Sequence, residues 1–572
     1  VTDAGARSTA RSTARSTARG LAPILWSAAL AVLLLGGALG PGYVLTYDMV
    51  WVPDLAVTPD VWGVGTALPR AVPSDAVVAL LDSVVPGMLL QKLVLLALLV
   101  GAGAGASALV GGRSLGVRVF ASTLMVWNPF VVERLVIGHW PVLVGYAVLP
   151  WLLLVCRRWE AGSRVPAAVP VLLVLGSLSA STGVATAVAL LAGGWRRGAR
   201  RRAAGLVSMA VVANLPWLVA GLLHSADATS AGSGARVFAA SSEGPLPGPL
   251  AALSLGGIWN AEVVPTTRLG FLSVVWLVVV GALAILGWLA QRRTAVQGWS
   301  ALVVCWTVGV GLAMLSWAAP GAVGALASHI PGGGLLRDGS RLLALAAPLT
   351  VVVAARGVES LLGWTPDRAT RVLVAGLLAV VPVALLPDAA LGASGRLDAV
   401  DYPAAFSDAR AAVQAAPDGD VVLLPFTSYR APDWNDGRKV LDPLPRFLGR
   451  PAVVNDELYV DGRPIPGEDP RAREVGEALR LATPADRATA LADIGVSVVV
   501  SEQIAGQDAP EVAGETTYAG DGLTVTEVAG DVSVRDAPVP WVVAMVVAWL
   551  AWAALLVGGA VVAARNRFRT RQ

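Results

Sequence analysis

Charge, cysteine, histidine and lysine are all scarce in this chain of 572 residues. Charged residues make up 15% of it, against roughly 25% in a typical soluble domain. Hydrophobic residues reach 55% and the mean hydropathy is +0.66, which excludes an ordinary soluble protein and fits an integral membrane one. The two cysteines, Cys156 and Cys305, both fall in apolar segments. They form no disulfide framework and read as small buried apolar residues. Three histidines give a Ser–His–Asp triad little support, and neither a Cys/His metal cluster nor a G-x-S-x-G elbow occurs. Only Lys92 and Lys439 are lysines, so arginine carries nearly all the positive charge.

That charge is unevenly placed. The stretch 389–538 holds about 25 acidic and about 13 basic residues, while the remainder is net basic, with its arginines clustered at the ends of apolar runs. This pattern reads as membrane topology and not as a nucleic-acid surface.

A membrane helix needs about 20 apolar residues. Spans are expected at 21–45, 88–110, 119–137, 141–156, 203–223, 270–290, 298–317, 341–362, 372–387 and 539–563. Arginines flank 165–194 on both sides (Arg157, Arg158 and Arg164 before it, Arg196–Arg202 after), so an even number of crossings belongs between them. Two short helices hinged at Ser179–Gly183 satisfy this and bring the count to about twelve. Every arginine cluster, and both termini, then fall on the cytoplasmic side.

The expected fold is mainly α: a polytopic helical membrane bundle with a small extracytoplasmic α/β domain before the last helix. Residues 1–20, with their Arg-Ser-Thr-Ala repeats, are expected to be a disordered basic cytoplasmic arm. The membrane domain covers 21–387 with an external loop at 46–87, the α/β domain 388–538, and the final helix with a basic tail 539–572. Within 388–538, Pro470–Leu481 reads as helix. The β-rich runs are Val421–Phe426, Val496–Val500 and Leu523–Thr526.

Three clusters offer chemistry. The first loop carries Asp48 and Asp54 just beyond a membrane helix, where ionisable groups are costly and therefore functional candidates. Six extended residues reach about 20 Å, so both can serve one site only if Val52-Pro53 turns the chain back. Further on, Ser74 N-caps a short amphipathic helix with Val77, Leu80, Leu81 and Val84 on one face and Asp75 and Asp82 on another. That helix suits the membrane interface.

The second cluster, Asn128–Trp140, brings Glu133, Arg134 and His139 to an external turn. They either neutralise that turn or form a phosphate or sugar site. The third, Gly332–Arg341, places Arg337, Asp338 and Arg341 at the start of a membrane helix, an arrangement that suits an anion or simply anchors the interface. His224, Asp227, Trp259, Asn260 and Glu262 share no recognisable spacing. Tyr429, Trp434 and Tyr459 are too few for a carbohydrate platform.

This layout resembles the GT-C class of polytopic membrane glycosyltransferases, most closely actinobacterial arabinofuranosyltransferase-like proteins. The stretches Asn128-Pro129-Phe130, Glu133-Arg134, Gly138-His139-Trp140 and Leu336–Arg341 also resemble segments of YfhO-like membrane proteins. The first loop lacks the adjacent Asp-Asp pair of many GT-C members. The resemblance implies an inverting transfer of a sugar from a polyprenyl-phosphate donor to a cell-envelope glycan or lipid acceptor, on the extracytoplasmic face of the cytoplasmic (inner) membrane. It implies Asp48 as general base with Asp54 second. Glu133, Arg134, His139, Arg337, Asp338 and Arg341 would serve the donor phosphate, and a divalent metal (Mg, Mn or Ca) is the one cofactor it allows. The alternatives are a non-catalytic GT-C relative that binds lipid-linked glycans during envelope assembly, and a transporter or flippase. The last lacks an internal repeat here.

Overall fold

The computed structural model describes residues 20–65, 67–160, 163–196, 198–225, 234–291, 298–329, 338–460, 463–504 and 507–569. The N-terminal arm, Asp227, Arg292, Arg293 and Arg337 lie outside them.

Among the described residues, nine helices are long and apolar enough to cross a membrane. They are Gly20–Leu39, Gly87–Val110, Leu115–Val136, Trp140–Arg158, Arg200–Leu223, Leu272–Gln291, Trp299–Ala318, Arg368–Leu385 and Val539–Arg565. A tenth span results if Gly339–Leu345 and Ala347–Gly363, bent by 47°, count as one. Each long expected span coincides with one of these. The region 165–194 does hold two short helices, Ala168–Gly176 and Ala180–Gly194. At 1.5 Å per residue they rise only about 14 and about 23 Å, short of the roughly 30 Å hydrocarbon core. Length and composition therefore give nine or ten spans, where the arginine argument counts twelve crossings.

The expected external turn at Glu133–Trp140 is smaller than its polarity suggested. Helix Leu115–Val126 breaks at Trp127, and Pro129–Val136 begins a new one with Pro129 in its first turn. Asn128 caps it by accepting from the Val131 amide at 3.2 Å, and its own amide donates to Leu124 O and to Tyr146. The Asn128 side chain thus serves backbone groups on both sides of the break. Glu133 and Arg134 end up fully buried in the last turn of this helix, and only Ile137-Gly138 turns the chain.

The first loop is pinned where it leaves the membrane. Tyr43–Val44 pairs antiparallel with Ala399–Val400, and the Gln91 amide holds both the N–H and the C=O of Val44, at 3.0 and 2.8 Å. The amphipathic helix of this loop runs Ser74–Asp82. Ser74 does not cap it, because its hydroxyl donates back to Ala71 O. The face carrying Leu80 and Leu81 is exposed, while Asp75 pairs with Arg446 at 2.8 Å and Asp82 accepts the Leu55 amide. The carboxylates hold the helix to the rest of the protein and leave its apolar face free for a bilayer surface.

A five-stranded mixed sheet lies between the last two spans. Its strand order is Gly514–Gly520, Leu523–Val528, Val496–Glu502, Asp420–Leu424, Ala452–Val453. The two contacts made by Asp420–Leu424 are parallel and the others antiparallel. Alternation along the strands, interrupted by a register shift between Val496 and Val498, divides their side chains between two cores. Val421, Leu423, Val498 and Val500 join the main core, which is continuous with the membrane helices. Val422, Leu424, Val496 and Val499 pack on helices Pro470–Ala478 and Pro484–Ile494. The final helix returns against the bundle, where Trp549 donates to Trp62 O and Trp552 to Ser177. Cys156 and Cys305 are buried and free.

Candidate functional site

Asp48 is placed mainly by the backbone bonds of its own segment. Tyr47 has φ +43°, and its N–H and C=O are taken by Lys439 O and the Leu441 amide, each at 2.8 Å. The Asp48 amide donates to Ile137 O at 3.0 Å, and the Thr46 hydroxyl to Val136 O at 2.9 Å. The loop therefore lies directly on the turn that carries His139. Gly138, at φ +85°, permits this contact: a Cβ there would collide with the backbone of Asp48 and Met49.

From this seat a continuous polar chain runs inward. Tyr429 Oη donates to Asp48 Oδ1 at 2.5 Å, and His139 Nε2 lies 3.0 Å from Asp48 Oδ2. On the far side of the imidazole, Arg134 Nη1 is 3.0 Å from Nδ1 and 3.2 Å from Asp338 Oδ2. Ser340 accepts from Arg134 Nη2 and donates to Asp338 Oδ1, both at 2.5 Å, and Arg341 Nε donates to Asp338 Oδ2 at 3.0 Å. Arg134 is 1% exposed, so its charge is met by protein groups and not by solvent, although its Nε has no hydrogen-bond partner.

The protonation pattern follows from these partners. A guanidinium only donates, so Nδ1 of His139 must accept from Arg134. Burial and the neighbouring Arg341 charge push His139 down to about 4, leaving it neutral with its proton on Nε2, where it donates to Asp48. Nε2 and Arg341 Nη2, 3.4 Å apart, are then both donors and make no bond. Burial raises Asp48, but the hydrogen bonds from His139 and the Tyr429 hydroxyl and the Arg341 charge outweigh it, and the carboxyl sits below its ordinary value. Asp338 is likewise raised by burial and carried well below its usual range by Arg134 and Arg341. At neutral pH the group holds two carboxylates, two guanidiniums and a neutral imidazole, a net charge of zero. Asp48 and Arg341 keep about a third of their side chains exposed, at 36% and 34%. They form the open end of the chain, and Arg134 and Asp338 the closed end.

Not every candidate belongs to this group. Asp54, at φ +54°, turns outward, is 79% exposed and pairs with Arg410 at 3.0 Å; Val52-Pro53 does not bring it back to Asp48. Glu133 lies beside Glu243, which is bound to the buried Arg268 at 2.6 Å. Arg337 lies outside the described residues. His224 is buried against Ala220 O, Gly65 O and the Trp541 ring. Glu262 instead approaches the rim, taking the Tyr47 hydroxyl at 2.6 Å and Lys439 at 3.3 Å. Tyr429 and Ser340 are the residues that sequence reasoning did not assign.

The donor set does not fit a divalent metal. No group of three or more His, Cys, Asp or Glu able to hold one occurs among the described residues. Asp48 and Asp338 also each have a guanidinium beside them, which would repel a second cation.

Among solved structures, the chain is similar to the mycobacterial arabinofuranosyltransferase AftD, with a TM-score of 0.51 and 17% identity, covering 90% of this chain and 40% of that one. A mutant of the same protein matches at a TM-score of 0.51 and 15% identity, covering 89% and 42%. The archaeal oligosaccharyltransferase AglB from Archaeoglobus fulgidus gives a TM-score of 0.34 at 12% identity, covering 84% and 69%. No protein-family model matches the chain, and no curated protein does. The AftD likeness shows a fold of the GT-C type, with this chain spanning about two fifths of AftD's length.

Proposed function

We propose that this chain is a membrane glycosyltransferase that moves a sugar from a polyprenyl-phosphate donor to an envelope glycan or lipid acceptor, on the extracytoplasmic face of the cytoplasmic membrane. The observation that carries this reading is the convergence of Asp48, His139 and Arg341, from three separate segments, at the open end of one polar chain in a bundle of GT-C fold.

In this mechanism Asp48, ionised and fixed by His139, takes the proton from an acceptor hydroxyl. The acceptor oxygen attacks the anomeric carbon from the face opposite the phosphate. The bond to the phosphate oxygen breaks, and the polyprenyl phosphate leaves with the electron pair, so the configuration inverts. Arg341, a third exposed at the end of the chain, stabilises the charge that grows on the phosphate. Arg134 and Asp338 touch neither substrate. They orient His139 and Arg341 and keep the imidazole in the tautomer that donates to the base.

The test is transfer by the reconstituted protein from a panel of polyprenyl-phosphate sugars. Asp48→Asn keeps the shape and the bond from His139 but removes the base, and should lower transfer by roughly 10²–10⁴-fold at unchanged expression. Retained transfer would remove Asp48 from this role. Wild-type protein that binds lipid-linked glycans but transfers from no donor would be a non-catalytic relative.

A further inference from the structure

Asp48 is held from two directions. His139 comes from the membrane bundle, but the other donor, Tyr429, lies 381 residues further along the chain, in the sheet-bearing region. Its position is set by backbone pairing. Tyr429–Arg430 forms a ladder with Val440–Leu441, with Tyr429 opposite Leu441. Tyr47 joins the same ladder through Lys439 O and the Leu441 amide. The two rings pack at 6.3 Å between centroids. Burial and the Asp48 charge hold the phenol well above its ordinary pKa, so it donates at neutral pH.

The terminal torsion of an aspartate is broad and roughly two-fold, so a donor on one oxygen leaves the carboxylate free to swing. Donors on both oxygens, fixed to different parts of the protein, remove that freedom. We infer that Tyr429 is a positioning residue for the proposed transfer: it locks the Asp48 carboxylate from the sheet side, and the base is complete only while the sheet region sits on the first loop. This inference rests on the reading of Asp48 as base.

Tyr429→Phe removes the hydroxyl and keeps the ring against Tyr47. Without one charge-assisted hydrogen bond the carboxylate becomes easier to protonate. The acid limb of the transfer rate should move up by about one pH unit and kcat should fall by about tenfold. Donor and acceptor KM and the melting midpoint should stay within error. Infrared titration of the Asp48 carboxylate, isolated by subtracting the Asp48→Asn spectrum, should show the same upward shift of its midpoint. The exposed Tyr459→Phe should change none of these. An unmoved acid limb together with an unmoved infrared midpoint overturns the inference. Should no donor support transfer by wild-type protein, the functional reading fails, and the infrared midpoint alone decides whether Tyr429 governs Asp48.

Discussion

Gly138 is where the structure makes its strongest claim about how the site is assembled, and Gly138→Ala tests it. Two costs arise. An alanine at φ +85° pays about 1–2 kcal/mol for the left-handed backbone. Its Cβ would also meet Asp48 C and Thr46 O, each at 2.7 Å, and press still closer on the Met49 amide. These are backbone atoms of a loop already tied to Ile137 O and Lys439 O, with no flexible side chain to yield, so overpacking adds about 1–3 kcal/mol.

Gly198 supplies the control. Its φ is +79° and a Cβ there meets nothing within 4 Å, so Gly198→Ala carries the backbone cost alone. Thermal melting in detergent should show Gly138→Ala destabilised by about 2–5 kcal/mol and Gly198→Ala by about 1–2 kcal/mol. Relief of the clash pushes the Asp48 loop off the His139 turn, and a displacement near 1 Å at reacting groups costs on the order of 100-fold in rate. Equal melting of the two variants, with full transfer in Gly138→Ala, would refute the reasoning.

Two further outcomes follow from the buried charges. Arg134→Met leaves Asp338 buried with one guanidinium fewer and should cost about 3–5 kcal/mol, read as lost folded protein by size-exclusion fluorescence. Adding Asp338→Asn should recover part of that loss, and strict additivity of the two variants would mean that they do not interact. Asp60 is raised to about 6, chiefly by burial. Because its folded value lies above its unfolded one, its contribution to stability is intact below about pH 4 and is lost as pH rises through 6. Asp60→Asn should therefore melt like wild type near pH 4 and above it at pH 7 and beyond; a melting gain that does not vary with pH would contradict this.

The spans were legible because runs of about 20 apolar residues have few other uses, and the paired short helices because arginines stood on both their flanks. The sheet's central strands declared themselves through dense β-branched runs, whereas Gly514–Gly520, an exposed edge strand, and the two-residue Ala452–Val453 carry little apolar signal. Glu133 and Arg134 read as one polar pair, yet neighbours on a helix point about 100° apart, and the structure sends them to different clusters. Asp54 depended on a turn that sequence could not decide. Tyr429 was beyond reach, since its contact with Asp48 is set by pairing across the fold and no local pattern announces it.

The sheet region is bound to the membrane by two covalent anchors, one after Leu385 and one before Val539. The Tyr43–Val44 ladder stitches its start to the first loop as well. A body tied in this way cannot swing clear like a lid without tearing one of its seams. For the transfer we propose, traffic would then be a matter of side doors, with short segments and not the whole sheet region stepping aside.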